Sequence, residues 1–232
     1  MKMNAYRAGL KRGLPVGIGY FSVSFGFGAM AANLGVKALD AALISLTNLT
    51  SAGQFAGLTV ITAGATLLEM LLTQLVINSR YGLMSLALGQ KFGPAVGSGK
   101  RLAAAFFNTD EVFALGMAQS KLTPAFFLGA GTVAAVGWTA GTAMGAIAGS
   151  VLPASVQTAL GIMLYGMFIA IVVPQAREDR KMGICMVLAL IFSCLFTWLP
   201  GLKEISSGIA VSLCAIAAAA IGAAVFPVKE DA

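Results

Sequence analysis

Asn108, Thr109, Asp110 and Glu111 stand side by side in the stretch AFFNTDEVFAL (105–115), between Phe106 and Phe107 on one side and Val112, Phe113 and Leu115 on the other. Two carboxylates beside two neutral hydrogen-bonding side chains can hold an ammonium or another cation, take up a proton, or start a helix. General acid–base catalysis fits poorly, because sequence neighbours point in different directions and a carboxylate dyad must converge on one substrate. A helix start fits better: Asn108 as N-cap with Glu111 three residues later makes a capping-box pattern. The free amides of such a start attract anionic groups.

A second polar stretch, Thr47-Asn48-Leu49-Thr50-Ser51-Ala52-Gly53-Gln54, is small, hydroxylated and too polar to face lipid. Amides near Gly53, with the Gln54 amide beside them, offer a second place for an anionic group. Further on, Thr59, Thr62, Thr66, Glu69 and Thr73 are spaced 3, 4, 3 and 4, one face of a continuous helix over 55–78. Interhelical hydrogen bonding accounts for a threonine stripe by itself. Glu69, a lone acid in mid-segment, is the candidate for proton coupling, with Thr66, Thr73, Asn78 and Arg80 along the same pathway. Arg80 is expected to snorkel to the near membrane surface.

The chain contains no histidine, which removes the commonest metal ligand and proton shuttle, and no Ser-His or Cys-His pair is available. GPAVGSGKR (93–101) resembles a phosphate loop, but Pro94 stands where the first glycine belongs and Arg101 where the Mg²⁺-binding hydroxyl belongs. The chain reads as neither an ATPase nor any other enzyme, and as needing no cofactor or metal.

The solvent explains how such residues are positioned. Of 232 residues, 58% are hydrophobic and 10% charged, with a mean hydropathy of +0.88. A soluble domain carries about 25% charged residues, so this chain is expected to lie among membrane lipids. Apolar segments fall at about 13–34, 41–53, 55–78, 102–119, 124–149, 155–174, 182–199 and 207–226. The first follows four bases and imitates a signal peptide, but Pro15 and its glycines make it a retained first span. The net charge of +6 comes from bases at segment ends rather than clustered with aromatics, which argues against nucleic acid. Cys185, Cys194 and Cys214 are odd in number, lack CxxC spacing and read as small packing residues. Gly137, Gly141, Gly145 and Gly149 form a ridge for close helix packing, against this chain or against another copy in a homo-oligomer.

Positive residues arbitrate which segments cross. If all do, the bases divide nine inside to five outside, with Arg80 in a span. If only 41–53 is re-entrant, the division is nine to six. If 102–119 also dips in and returns, it becomes thirteen to two, with Lys37 and Lys203 alone outside. The expected fold is therefore an all-α integral membrane bundle, one transmembrane domain over 1–232. It has about six full crossings, two re-entrant or broken helices, and both termini cytoplasmic. Interrupted segments entering from opposite faces suggest an inverted repeat, although no residue-level self-similarity accompanies it. Four consecutive polar side chains cannot share one protected helix face, and a central acid in hydrocarbon costs about 2.5–3.5 kcal/mol. A helix that starts at this point, lining a cavity inside the bundle, avoids that cost.

Several short motifs resemble the AzlC type, the large subunit of two-component branched-chain amino-acid exporters. In order, they are Gly13-Leu14-Pro15 with Phe25-Gly26, Ser45 with Ala52-Gly53-Gln54-Phe55, Asn78-x-Arg80, and Asp110-Glu111 with Phe113-Ala114-Leu115. Where such proteins often have Arg-His, this chain has Arg80-Tyr81. The resemblance implies a bacterial inner-membrane exporter of hydrophobic amino acids, driven by the proton-motive force and working with a small AzlD-type membrane subunit. Asp110 and Glu111 then hold the substrate ammonium, amides near Asn108, Thr109 or Gly53 the carboxylate, and Phe106, Phe107 or Phe113 the apolar side chain. Alternatives are a channel or permease for another small solute, or a non-transporting membrane scaffold.

Overall fold

The computed structural model describes residues 4–149, 179–205 and 207–226, with isolated positions between 150 and 178. Most of the span expected over 155–174 lies outside the described residues. Every regular element among those described is an α-helix: α1 (Ala5–Asn33), α2 (Ala38–Thr47), α3 (Ala52–Thr62), α4 (Leu67–Phe92), α5 (Ser98–Phe106), α6 (Asp110–Met117), α7 (Pro124–Gly149), α8 (Arg180–Trp198) and α9 (Ser207–Val225). Three of them, α1, α7 and α8, are long and apolar enough to cross a membrane. The chain divides into two compact units, 1–55 with 78–164, and 56–77 with 165–232.

The first unit is organised on α1 and α7. The glycine ridge of α7 lies directly on α1: side chains added at Gly137, Gly141 and Gly145 would overlap the carbonyls of Gly17, Phe21 and Phe25. Gly9, Gly13 and Gly17, also four apart, answer from α1, and a Cβ on Gly13 would stand 2.8 Å from the Ala130 Cα. Small residues at this spacing let two backbones touch. Contacts run in step along both helices, Gly9 with Phe126, Gly17 with Val133 and Gly28 with Thr142, so α1 and α7 are parallel. The ridge therefore has its partner within this chain.

Three interruptions shape the rest. Between α2 and α3, Asn48 is extended (φ −144°, ψ 112°), its side chain accepts from the Thr50 amide at 3.1 Å, and Ser51 takes φ 33°. Between α5 and α6, Thr109 is extended (φ −90°, ψ 164°), and its carbonyl accepts the Phe113 amide at 2.8 Å as α6 begins. Both interruptions fall within the two stretches whose polarity argued against a lipid-facing helix.

The third corrects the sequence reading, which took 55–78 as one helix. The Gly64 amide bonds the Ile61 carbonyl (3.0 Å) and the Ala65 amide bonds that of Val60 (3.2 Å), with Gly64 at φ 65°. This is the glycine-dependent helix stop that leaves α3 ending at Thr62. The Thr66 hydroxyl then accepts the Glu69 amide at 3.2 Å and opens α4. Thr66 and Glu69 are thus the two ends of a capping-box pattern, and Glu69 lies in the first turn of a helix rather than in mid-segment. The five-residue stripe has no continuous helix to lie on.

A second correction concerns where the segment placed at 55–78 ends. Helix α4 continues to Phe92, and Arg101 closes its end by donating to the carbonyls of Gly89 (2.8 Å), Val96 (2.8 Å) and Gly93. Cations at a helix C-terminus satisfy its spare carbonyls and oppose its dipole. In the second unit α8 packs on α9, where a Cβ on Gly222 would meet the Cys185 sulfur at 2.5 Å. All three cysteines are free.

Candidate functional site at the second helix break

Asp110 opens α6, and Arg80 reaches it at 2.7 Å from the middle of α4. The expectation that Arg80 snorkels is wrong, because a carboxylate distant in sequence supplies a partner at mid-helix. The same guanidinium donates to the Tyr81 hydroxyl at 3.4 Å and lies 5.0 Å from that ring's centre. Its Nε–H has no partner. The Arg80 and Asp110 side chains keep 40% and 36% of their surface exposed, so the pair is not sealed into the core.

The neighbouring acid has a different partner. Glu111 accepts a hydrogen bond from the hydroxyl of Tyr20, a residue in the middle of α1. Asn108 is not the N-cap expected of it. Thr109 occupies that position without a side-chain cap bond, while the Asn108 amide donates to the Ser85 hydroxyl of α4 at 3.1 Å. Asn108 and Thr109 are both almost fully buried, and the Asn108 carbonyl oxygen has no partner. The break is thus tied to α4 by Arg80 and Ser85, and to α1 by Tyr20.

Gln54, from the first turn of α3, is the hub of the other break. Its carbonyl oxygen accepts from the Trp138 indole at 2.8 Å and from Ser45 at 3.3 Å, and Ser45 also bonds Thr142 at 2.7 Å. Its amide donates to the carbonyls of Asn48 and Ile44, where α2 ends. All four side chains are buried. A buried polar network in which each member is satisfied fixes one arrangement of the chain. Gly53 begins the same turn, its amide on the Thr50 carbonyl at 3.0 Å.

Other expected site residues lie elsewhere. Phe106 is half exposed and lines an open apolar groove of about 420 Å³ with Leu46, Phe107 and Val136. Phe113 packs against the hydrophobic core around Val112, Phe126 and Phe127. Glu69 and Thr73 are buried in the second unit, and Thr73 keeps an unpartnered hydroxyl. Sequence reasoning missed Tyr20, Ser85 and Trp138. The available signal was weak: Tyr20 and Trp138 are hydrogen-bonding aromatics set in Gly-rich, otherwise apolar helices.

Residues 15–152 match the family described as AzlC protein, more than half of the chain. The chain belongs to the AzlC family. It is 31% identical over 195 residues to the inner membrane protein YgaZ of Escherichia coli (strain K12), covering 80% of this chain and 78% of that protein. It is also 31% identical over 181 residues to a protein of Archaeoglobus fulgidus named as an uncharacterized membrane protein, covering 76% of this chain and 78% of that one. No solved structure matches. The AzlC match runs from α1 to just beyond α7. It therefore takes in both polar breaks, the Arg80–Asp110 pair and the Gln54 hub, in what is a membrane protein of a transport-related family.

Proposed function

We propose that this chain is the carrier subunit of an exporter for amino acids with apolar side chains, and that a zwitterionic substrate binds by opening the Arg80–Asp110 pair. The pair itself is the observation that carries the reading. An ion pair adds little to stability where both groups stay partly exposed, so its presence inside an apolar chain calls for another use. A zwitterion carries the same two charges at matching separation. Its carboxylate takes the guanidinium fork, whose Nε–H is unused, and its ammonium takes Asp110, with Glu111 one residue away. Empty and loaded sites then have equal net charge, so substrate entry adds no uncompensated charge at depth. This gives the carboxylate to Arg80, where the sequence reading gave it to helix-start amides.

Branched-chain selectivity, a small AzlD-type partner and proton coupling through Glu69 complete the proposal. So do six crossings with cytoplasmic termini. Parallel packing of α1 and α7 supports that topology, since an odd number of crossings must separate two parallel spans. The six-crossing arrangement meets this requirement, as does the one in which every segment crosses; the arrangement with 41–53 alone re-entrant does not, and the division of bases favours six crossings over eight.

The alternative, a scaffold whose ion pair only fastens α4 to α6, is favoured by the pair's being formed. Purified chain in proteoliposomes, with and without the small subunit, separates the two. Arg80→Gln and Asp110→Asn singly leave an unpaired charge and are expected to impair both assembly and leucine flux. The double variant Arg80→Gln/Asp110→Asn restores assembly on either reading. Carrier function predicts that its leucine flux falls at least tenfold, and unchanged flux per folded molecule contradicts it.

A further inference from the structure

We infer that Trp138 is the joint through which the two polar helix breaks move together, with Tyr20 and Gln54 as its two arms. The breaks are far apart in sequence, yet one residue from each packs into the same small cluster. Leu49 comes from the break between α2 and α3, Phe107 from the break between α5 and α6, and Trp138 and Ala135 lie between them with Tyr20 and Val23 alongside. Trp138 is 1% exposed. Its indole N–H holds Gln54, which in turn holds the last carbonyls of α2. Its ring meets that of Tyr20 edge to face, with centroids 5.2 Å apart and planes at 75°. Tyr20 then reaches Glu111 in the first turn of α6.

Every link in this series is a directional hydrogen bond or a close aromatic contact, buried at Trp138 and Gln54 and part-buried between Tyr20 and Glu111. Close-packed interiors do not deform continuously; a displaced side chain forces its neighbours into a second arrangement. If the start of α6 shifts when Glu111 changes partner, Tyr20 must follow it or lose its bond. The Tyr20 ring packs against the indole at a steep angle, and tilting the indole withdraws its N–H from Gln54. That N–H is buried and costly to leave unpaired, so Gln54 and the end of α2 move with it. The backbone under Trp138 cannot absorb the shift, because α7 is locked to α1 by glycine contacts on either side, at Gly137 and Gly141. The contact between the breaks is therefore mechanical and runs in both directions. It stands whatever the transported solute is.

The test measures coupling without any substrate. Cys185, Cys194 and Cys214 are replaced by alanine, Thr50 at the first break by cysteine, and the rate of reaction with a small hydrophilic thiol reagent is followed in detergent. Glu111→Gln at the second break is expected to change that rate by about threefold or more, a typical size for coupled neighbours. Tyr20→Phe keeps the ring and removes the link, so adding Glu111→Gln to it is expected to produce no further change. The chain has two tryptophans, and Trp198→Phe leaves Trp138 as its sole fluorophore of that type. Its emission is expected to shift with Glu111→Gln while Tyr20 is intact, and to stay put once Tyr20→Phe has removed the hydroxyl. A labelling rate and emission both unmoved by Glu111→Gln, or equal effects with and without the Tyr20 hydroxyl, overturn the inference.

Discussion

Arg80 and Glu69, eleven residues apart on one helix, have exchanged the roles that their sequence positions imply. Arg80 lies in mid-helix facing an acid, while Glu69 sits in a helix-opening turn. The reason is local in one case and distant in the other. Thr66-x-x-Glu69 is a capping pattern that the sequence displays openly, but hydropathy over 55–78 concealed the turn before it. The Asp110 partner of Arg80 depends on tertiary packing that no spacing rule contains. Asn108 fails as N-cap for the same kind of reason: its side chain is turned to Ser85 of α4, and Thr109 stands at the capping position. The capping position also makes Glu69 testable as a coupling group. Glutamine serves a capping box nearly as well as glutamate, so Glu69→Gln is expected to leave thermal stability in detergent nearly unchanged. If Glu69 couples proton flow to export, that variant loses uphill leucine export in proteoliposomes and keeps exchange of internal for external leucine. Uphill export at the normal rate would leave Glu69 with its capping role alone.

At the scale of elements, interruptions rather than long helices position the site. The two polar breaks were legible, since runs such as Asn108–Glu111 and Thr47–Ser51 are incompatible with a lipid-facing helix. The ridge Gly137–Gly141–Gly145–Gly149 was legible as a packing surface, but its partner α1 was not, because small residues declare closeness without declaring to what. The third break was missed although Gly64 marks it. With φ at 65°, Gly64 is the one residue in that turn whose side chain must be absent. Gly64→Ala is expected to destabilise the protein by about 1–2 kcal/mol, the cost of left-handed backbone for an L-residue. Thermal unfolding in detergent measures this, with Gly19→Ala as the comparison, since nothing lies within 4 Å of a Cβ at Gly19. Equal effects at the two positions contradict the helix stop assigned to Ala63–Ala65.

For the whole molecule, α1 and α7 run parallel, so on the proposed topology the starts of the two helices lie on the same side of the membrane. A reporter at the N-terminus and one inserted after Lys121, just ahead of α7, are therefore expected to report the same compartment. Opposite compartments exclude α1 and α7 as parallel spans and with them the six-crossing arrangement. At the Arg80–Asp110 pair the expected outcome concerns charge: a bound molecule is expected to need both an ammonium and a carboxylate. Competition against radiolabelled leucine bound to the purified protein tests it most directly, using N-acetylleucine, which lacks the ammonium, and leucinamide, which lacks the carboxylate. The account predicts that unlabelled leucine displaces the label while each single-charge analogue needs a concentration at least about tenfold higher, as losing one charge-assisted hydrogen-bonding group of about 1.5–3 kcal/mol implies. Displacement by either analogue as readily as by leucine would contradict it.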